Sequence, residues 1–292
     1  MKNPYENKVT GEMETFQNSN AFILLPSAVS WIIGHIYNMI YKPDREATVP
    51  QVNWIKSSVL VILGALSMTR AIYETSYPLV TLFKSCNLLS VLVIGIFFSR
   101  VKEKSQKLEK KQIVVGLVVT LGVLMYYLGP ISQASDQELV RSYFGLGLLF
   151  FSLICDGLVP DFQAEIKTKY KPTPMEMFQH MNKWKTILSL AYSLLTLEIR
   201  HIVTFFMDHD GLLLHMLCLS LTGAVGQIFV YWLITNFRQH VVPFIITTRK
   251  IMTVVISILY FGHRVTFSQK TGIVIVFLAV LFEFVGEIRG GS

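Results

Sequence analysis

Long apolar stretches alternate with short polar connections along almost the whole chain, and they have the length of membrane-crossing helices. A bilayer core takes about 20 helical residues. Nine stretches reach or approach that length, at about Ala21–Tyr41, Ile55–Glu74, Tyr77–Ser99, Gln112–Gly129, Tyr143–Glu165, Thr186–Phe206, Leu212–Asn236, Val241–Gly262 and Thr271–Ile288. No Gly/Ser-rich or other low-complexity linker separates them, so the pattern predicts one polytopic, all-α domain over residues 1–292. Composition agrees. With 52% hydrophobic and 15% charged residues, and a mean hydropathy of +0.49, the chain has too little polar surface for a soluble domain of 292 residues. The lipid bilayer is its expected surrounding.

Charge then gives an orientation, because cytosolic loops collect Lys and Arg. The strongest basic run is Arg100–Lys111, and the next is Lys167–Lys171, continuing to Lys183 and Lys185. Both are predicted to be cytosolic loops, with the poorly basic segments Gly129–Ser142 and Met207–Gly211 on the lumenal side. The net charge of +7 and pI of about 9.2 follow from these flanks and indicate no nucleic-acid partner. Cys86, Cys155 and Cys218 all fall in predicted spans without metal-ligand spacing, and read as buried core residues. The polar segment Met1–Asn20 reads as neither a signal peptide nor a helix.

Inside the apolar stretches, two places break the pattern. Lys84 stands six residues after Pro78, and the pair Arg249–Lys250 begins six residues after Pro243. A cation at the centre of a membrane helix costs roughly 2.5–3.5 kcal/mol on insertion scales, so such groups mark cavities or partners. They point to a buried site for an anionic substrate. The two segments also resemble each other, from Pro78-Leu-Val-Thr-Leu-Phe-Lys84 to Arg100 and from Pro243-Phe-Ile-Ile-Thr-Thr-Arg249 to Arg264. Five spans separate them, and an odd interval reverses orientation, which predicts an inverted repeat with its site near the midplane between the halves. The first repeat would be 1–130 and the second 143–289. Two five-helix repeats make ten helices, so the count of nine places a missing first helix before Ala21.

Four motifs in order carry a family resemblance. Tyr77-Pro-Leu-Val-Thr-Leu-Phe-Lys-Ser-Cys86 resembles the Tyr-Pro-x-x-x-Leu-x-Lys-Ser-Cys pattern of nucleotide-sugar transporters. Asp156-Gly157 followed by Gln163, Gly226-Gln227-Ile-Phe-Val-Tyr231 and Thr247-Thr-Arg-Lys250 resemble three further motifs of the same family. The branch is that of UDP-galactose transporter homologues, the endoplasmic-reticulum ATP/ADP exchanger and the adenylyl-sulfate carriers. The resemblance implies a drug/metabolite-transporter-like fold of inverted five-helix repeats. Two departures stand out. Glu6-Asn-Lys-Val-Thr10 resembles the Gln-Glu-Lys-x-Thr segment that closes the family's first helix, and Asn87 occupies the place of a frequent second lysine.

Chemically, Lys84 offers a mobile point charge to a diphosphate, and Arg249 a planar fork for bidentate contact. Lys250 lies about 100° round the helix from Arg249, so one of the pair faces the cavity fully. Thr247 and Thr248 can donate hydroxyl hydrogen bonds. Gln227 can read uracil or sugar beside Gly223 and Gly226, which let helices approach closely, and Phe229 and Tyr231 can stack on the base. Asp156 reads equally as a coupling-ion site or as a structural group beside a kink. Arg70 and Glu74, four apart, read as an ion pair; His35 and His215 read as core or interface residues. No nucleophile–base or metal constellation lies within the spans, which excludes an enzyme reading. The expected function is exchange of a cytosolic nucleotide-sugar, UDP-galactose or UDP-glucose, for a lumenal nucleoside monophosphate across the endoplasmic-reticulum or Golgi membrane, with no cofactor. The alternatives are ATP/ADP exchange and an inactive truncated family member.

Overall fold

The computed structural model describes residues 5–6, 13–14, 20–41, 49–75, 80, 83–84, 87–98, 114–122, 125, 143–209, 211–237, 242, 245–246, 249, 271–275, 277–279 and 282. Apart from a small antiparallel hairpin, β1 Tyr5–Glu6 against β2 Met13–Glu14, its regular structure is helical. Glu6 therefore lies in a strand and not in the last turn of a helix. The helices are α1 Ala21–Ile40, α2 Gln51–Glu74, α3 Asn87–Phe98, α4 Tyr143–Tyr170, α5 Pro174–Leu195, α6 Glu198–Asp208 and α7 Leu212–Asn236. Among the described residues, α1, α2, α4 and α7 are long and apolar enough to cross a membrane, and α5 with α6 would make a fifth crossing as a bent pair. Much of the remaining expected map, at 77–79, 81–82, 85–86, 123–124, 126–129, 250–262 and 283–288, lies outside the described residues.

Two compact units emerge, each taking segments from both halves of the chain: residues 1–66 with 166–236, and residues 67–165 with 237–292.

In the first unit α1 packs on α5 and α7, and α5 packs on α7. The core is Trp54, Met177, Phe178, Met181, Ala224 and Tyr231. The seam between α1 and α5 is polar. Asn20 Nδ2 donates to Ser189 O at 3.0 Å and to Ser193 Oγ, and Ser189 Oγ donates to Asn20 Oδ1 at 2.6 Å. Further along, Thr186 Oγ1 donates to Ser27 Oγ at 3.1 Å, and Asn38 Nδ2 donates to Gln179 Oε1. At Gly34 an added Cβ would lie 3.0 Å from Gln179 Cβ and 3.2 Å from its Cα, so glycine sets the helix separation here. Small residues and interhelical hydrogen bonds hold helices together where lipid gives no hydrophobic drive.

The pattern on α7 is inside-out in the same sense. Leu212, Met216, Ser220 and Ala224, four residues apart, are buried, while Leu213, Leu214, Leu217, Leu221 and Val225 are exposed. Cys218 lies on that exposed face, contrary to the expected burial of all three cysteines; Cys155 is buried.

The largest correction concerns α5. Thr173 Oγ1 accepts from Glu176 N–H at 3.2 Å, the Glu176 carboxylate accepts from Thr173 N–H at 2.6 Å, and Pro174 takes the first helical position. The expected basic loop 167–185 thus shrinks to residues 171–173: Lys167 and Lys169 finish α4, and Lys183 and Lys185 are helical. The expected span Thr186–Phe206 is not one helix either. Leu197 adopts a left-handed backbone (φ 58°), and α6 leaves α5 at 96°. Glu198, Arg200 and His201 interrupt the apolar run just after the break. Ile202 and Phe205 of α6 pack on Ala21, Leu212 and Met216.

In the second unit Ala71, Val80 and Leu149 pack together with Phe83, whose ring meets Phe150 edge-on at 5.1 Å. Helices α3 and α4 cross tightly at Gly157, where an added Cβ would meet Ile94 Cδ1 at 2.5 Å, Ser90 Oγ at 2.7 Å and the Ser90 carbonyl oxygen at 3.0 Å. Ser90 Oγ donates to Leu153 O at 2.6 Å beside this crossing. Gly145 lies equally close to Glu74 and Thr75, but Gly147 has open space. The expected Arg70–Glu74 ion pair is present at 3.0 Å.

Candidate functional site

Four of the sequence-predicted site residues belong to the second unit and are described. Lys84 is helical and exposed, next to the anchored Phe83, and makes no hydrogen bond or ion pair with the described residues. Arg249 is also helical and exposed. An exposed ammonium such as that of Lys84 can take a ligand oxygen without first breaking an internal ion pair with the described residues. Asp156 is half-buried on α4, and Gly157 beside it serves the α3–α4 crossing. Two turns further on, Gln163 is 6% exposed and hydrogen-bonds none of the described residues, so its amide is open to a ligand. Thr247, Thr248 and Lys250 lie outside the described residues.

Gln227 and Tyr231 belong to the first unit, on α7. Tyr231 is buried, its ring edge-on to Phe178 at 6.0 Å. Phe229 is 63% exposed on another side of α7, and Gly223 has nothing within 4 Å of an added Cβ, so it does not mark the close approach expected of it. Gln227 has an unexpected partner: its Oε1 accepts from Lys185 Nζ at 3.4 Å. Lys185 is 8% exposed, in the middle of α5, and the hydrogen bond links α5 to α7. Around this pair, Asn182 Nδ2 donates to Phe178 O while its buried Oδ1 has no hydrogen-bond partner. Sequence reading assigned Lys185 to a loop and so missed it. The signal was available in Thr173-Pro-Met-Glu176, a capping box with proline at the first helical position, which starts a helix eleven residues before Lys185.

His35 and Gln179 make a further contact on the α1–α5 seam, at 3.2 Å between Nδ1 and Nε2, whereas His215 is exposed. Among the described residues no three His, Cys, Asp or Glu side chains gather as metal ligands.

Apolar helices of crossing length that carry isolated cations and an internal polar seam define a polytopic helical membrane protein. Comparison with known proteins makes this specific. The chain belongs to the UAA transporter family, whose profile spans residues 8–286. It is 31% identical over 229 residues to the UDP-galactose transporter homolog 1 of Schizosaccharomyces pombe, covering 78% of this chain and 69% of that one. To the solute carrier family 35 member B1 homolog of Drosophila melanogaster it is 26% identical, covering 92% and 78%. To the adenosine 3'-phospho 5'-phosphosulfate transporter 1 of the same fly it is 24% identical, covering 94% and 58%. A crystal structure of a protein 9% identical superposes with a TM-score of 0.68 over 94% of this chain and 90% of that one, a likeness of fold alone.

Proposed function

We propose that this transporter carries a nucleotide-sugar, UDP-galactose or UDP-glucose, from the cytosol into the lumen of the endoplasmic reticulum or Golgi in exchange for a nucleoside monophosphate. The observation that carries the reading is the 31% identity to the fission-yeast UDP-galactose transporter homolog. The site chemistry supports it. Lys84 and Arg249 neutralise the two charges of the diphosphate, with Lys250, Thr247 and Thr248 as neighbours on the Arg249 segment; Gln163 and Asp156 offer hydrogen bonds to sugar or base. Alternating access between two inverted repeats moves the bound ligand, and the opposing gradient drives exchange without a cofactor.

ATP/ADP exchange is the second reading. It is favoured by Lys185, a buried cation on α5 suited to a further phosphate. One measurement separates the two: uptake of radiolabelled UDP-galactose, UDP-glucose and ATP by proteoliposomes of the full chain, preloaded with UMP, AMP or ADP. UDP-hexose uptake accelerated by internal UMP is expected. ATP uptake accelerated by internal ADP, without UDP-hexose uptake, moves the assignment to the second reading, and transport of none of them overturns both.

A further inference from the structure

The Lys185–Gln227 pair is difficult to explain as packing. An ammonium has three N–H donors and no acceptor. Here one of the three is used, on a neutral amide, and no carboxylate among the described residues pairs with it. The group is 8% exposed and sits at the twelfth of the 22 residues of α5, a helix packed against the candidate spans α1 and α7. At 1.5 Å per residue that is about 16 Å from either end of α5, beyond the reach of a lipid headgroup and too deep for the ammonium to snorkel out with ease. If its task were only to tie α5 to α7, a neutral donor would do so without the cost of a buried, unneutralised charge. An intramembrane cation of this kind marks a site for a negative group.

The neighbouring atoms narrow the class of ligand. Asn182, one turn before Lys185, holds a buried Oδ1 that accepts from nothing. Tyr231, one turn after Gln227, hydrogen-bonds none of the described residues through its hydroxyl. A cation, an open acceptor and an open hydroxyl suit a ligand that brings an anionic oxygen together with O–H or N–H groups. A nucleotide has both.

We infer that Lys185 and Gln227 form an anion subsite that receives a phosphate oxygen of the carried nucleotide. This deepens the proposed function and rests on its reading of a nucleotide carrier. Gln227 holds the ammonium in place through its carbonyl oxygen, and the ligand phosphate supplies the missing negative charge.

The test uses the full chain in maltoside detergent, with UMP and uridine as probes that differ only in the phosphate. Thermal shift titrations should show Lys185→Gln losing about tenfold or more in UMP affinity, the loss expected for one hydrogen bond to a charged group, while its weak response to uridine is unchanged. Lys185→Arg should stay within a few-fold of wild type. Gln227→Glu should raise the melting temperature without ligand, because it gives the ammonium a carboxylate, and should lower UMP affinity because that carboxylate competes with the phosphate. A plain helix tie forecasts the reverse: Lys185→Gln melts earlier without ligand and keeps its UMP affinity, a result that overturns the inference. Should Lys185→Gln fail to fold, unchanged UMP affinity in Gln227→Glu overturns it alone. If wild-type protein ignores UMP and UDP-hexoses but binds ADP, the nucleotide-sugar reading fails while the same variants, titrated with ADP and adenosine, still decide the subsite. Binding of no nucleotide at all overturns both.

Discussion

Glu176 and Thr173 close on each other at the start of α5, each accepting the other's backbone N–H, at 2.6 and 3.2 Å. This reciprocal cap fixes where α5 begins, and so decides that Lys185 is a helical residue and not part of a basic loop. Thr173→Ala should cost about 1 kcal/mol, as for other N-cap threonines, and lower the melting temperature by a few degrees. Thr173→Ser should restore it, since serine keeps the accepting oxygen. Circular dichroism melts of the detergent-solubilised protein check both.

A second expectation concerns glycines that look alike in sequence. Gly157→Ala places a Cβ 3.0 Å from the Ser90 carbonyl oxygen, which belongs to a helix backbone and cannot swing away. It should destabilise by about 1–3 kcal/mol through overpacking. Gly147→Ala meets nothing within 4 Å and removes a flexible residue from a helix, so it should be neutral or stabilising by up to about 1 kcal/mol. Equal effects in parallel melts would contradict the described α3–α4 crossing.

The α1–α5 seam permits a direct measurement of interhelical coupling. Thr186 Oγ1 also donates to the Asn182 carbonyl, at 2.8 Å, so its hydroxyl hydrogen is shared between its own helix and Ser27. A double-mutant cycle of Ser27→Ala and Thr186→Val should therefore give a small coupling energy, about 0.6 kcal/mol, the average for such bonds in membrane proteins. A coupling above about 2 kcal/mol would show that the seam holds more of the fold than its geometry indicates.

For the substrate site, Lys84→Ala and Arg249→Ala should each weaken UDP-hexose binding by about ten- to a hundredfold, the loss of one charged hydrogen bond. Both variants should remain folded without ligand, because both side chains are exposed. If the two share one ligand, the double mutant should lose less than the sum. Lys84→Arg should recover only part of the affinity, since a guanidinium differs in shape and hydration. Thermal shift with and without UDP-galactose reads all four variants; unchanged affinity in both single variants would remove the assignment.

Topology can be checked by labelling. Single cysteines at Ser105 and Lys171 should react from the cytosolic face of intact microsomes, and one at Ser135 only after permeabilisation. Labelling of positions 105 and 135 from the same face would contradict the orientation set by the basic flanks.

Much of the helical framework could be read from apolar runs: α1, α7, and α2 and α4 within a few residues, follow directly from stretches that lipid requires to be apolar. The Arg70–Glu74 pair was equally legible, because four-residue spacing on a helix leaves few other partners. Hydropathy failed on α5 for a physical reason. A helix that packs between others needs no continuous apolar surface, so its first twelve residues, with Gln179, Asn182, Lys183 and Lys185, look like a loop to an apolar-run reading. The left-handed Leu197 is itself unmarked, and only the polar residues Glu198, Arg200 and His201 just after it signal the break. Of the candidate site, the place of Lys84 and Arg249 inside apolar runs of the sequence singled them out. Lys185 needed the cap at Thr173 to be read first.

The shortness of the connection at 171–173 has a mechanical meaning. Three extended residues reach about 10 Å at most, so the head of α5 is leashed to the tail of α4, and neither helix can slide along its own axis like a piston while the other stays still. On the proposed role of Lys185, conformational exchange would tilt or turn these two helix ends together, and a cross-link between them should leave turnover intact.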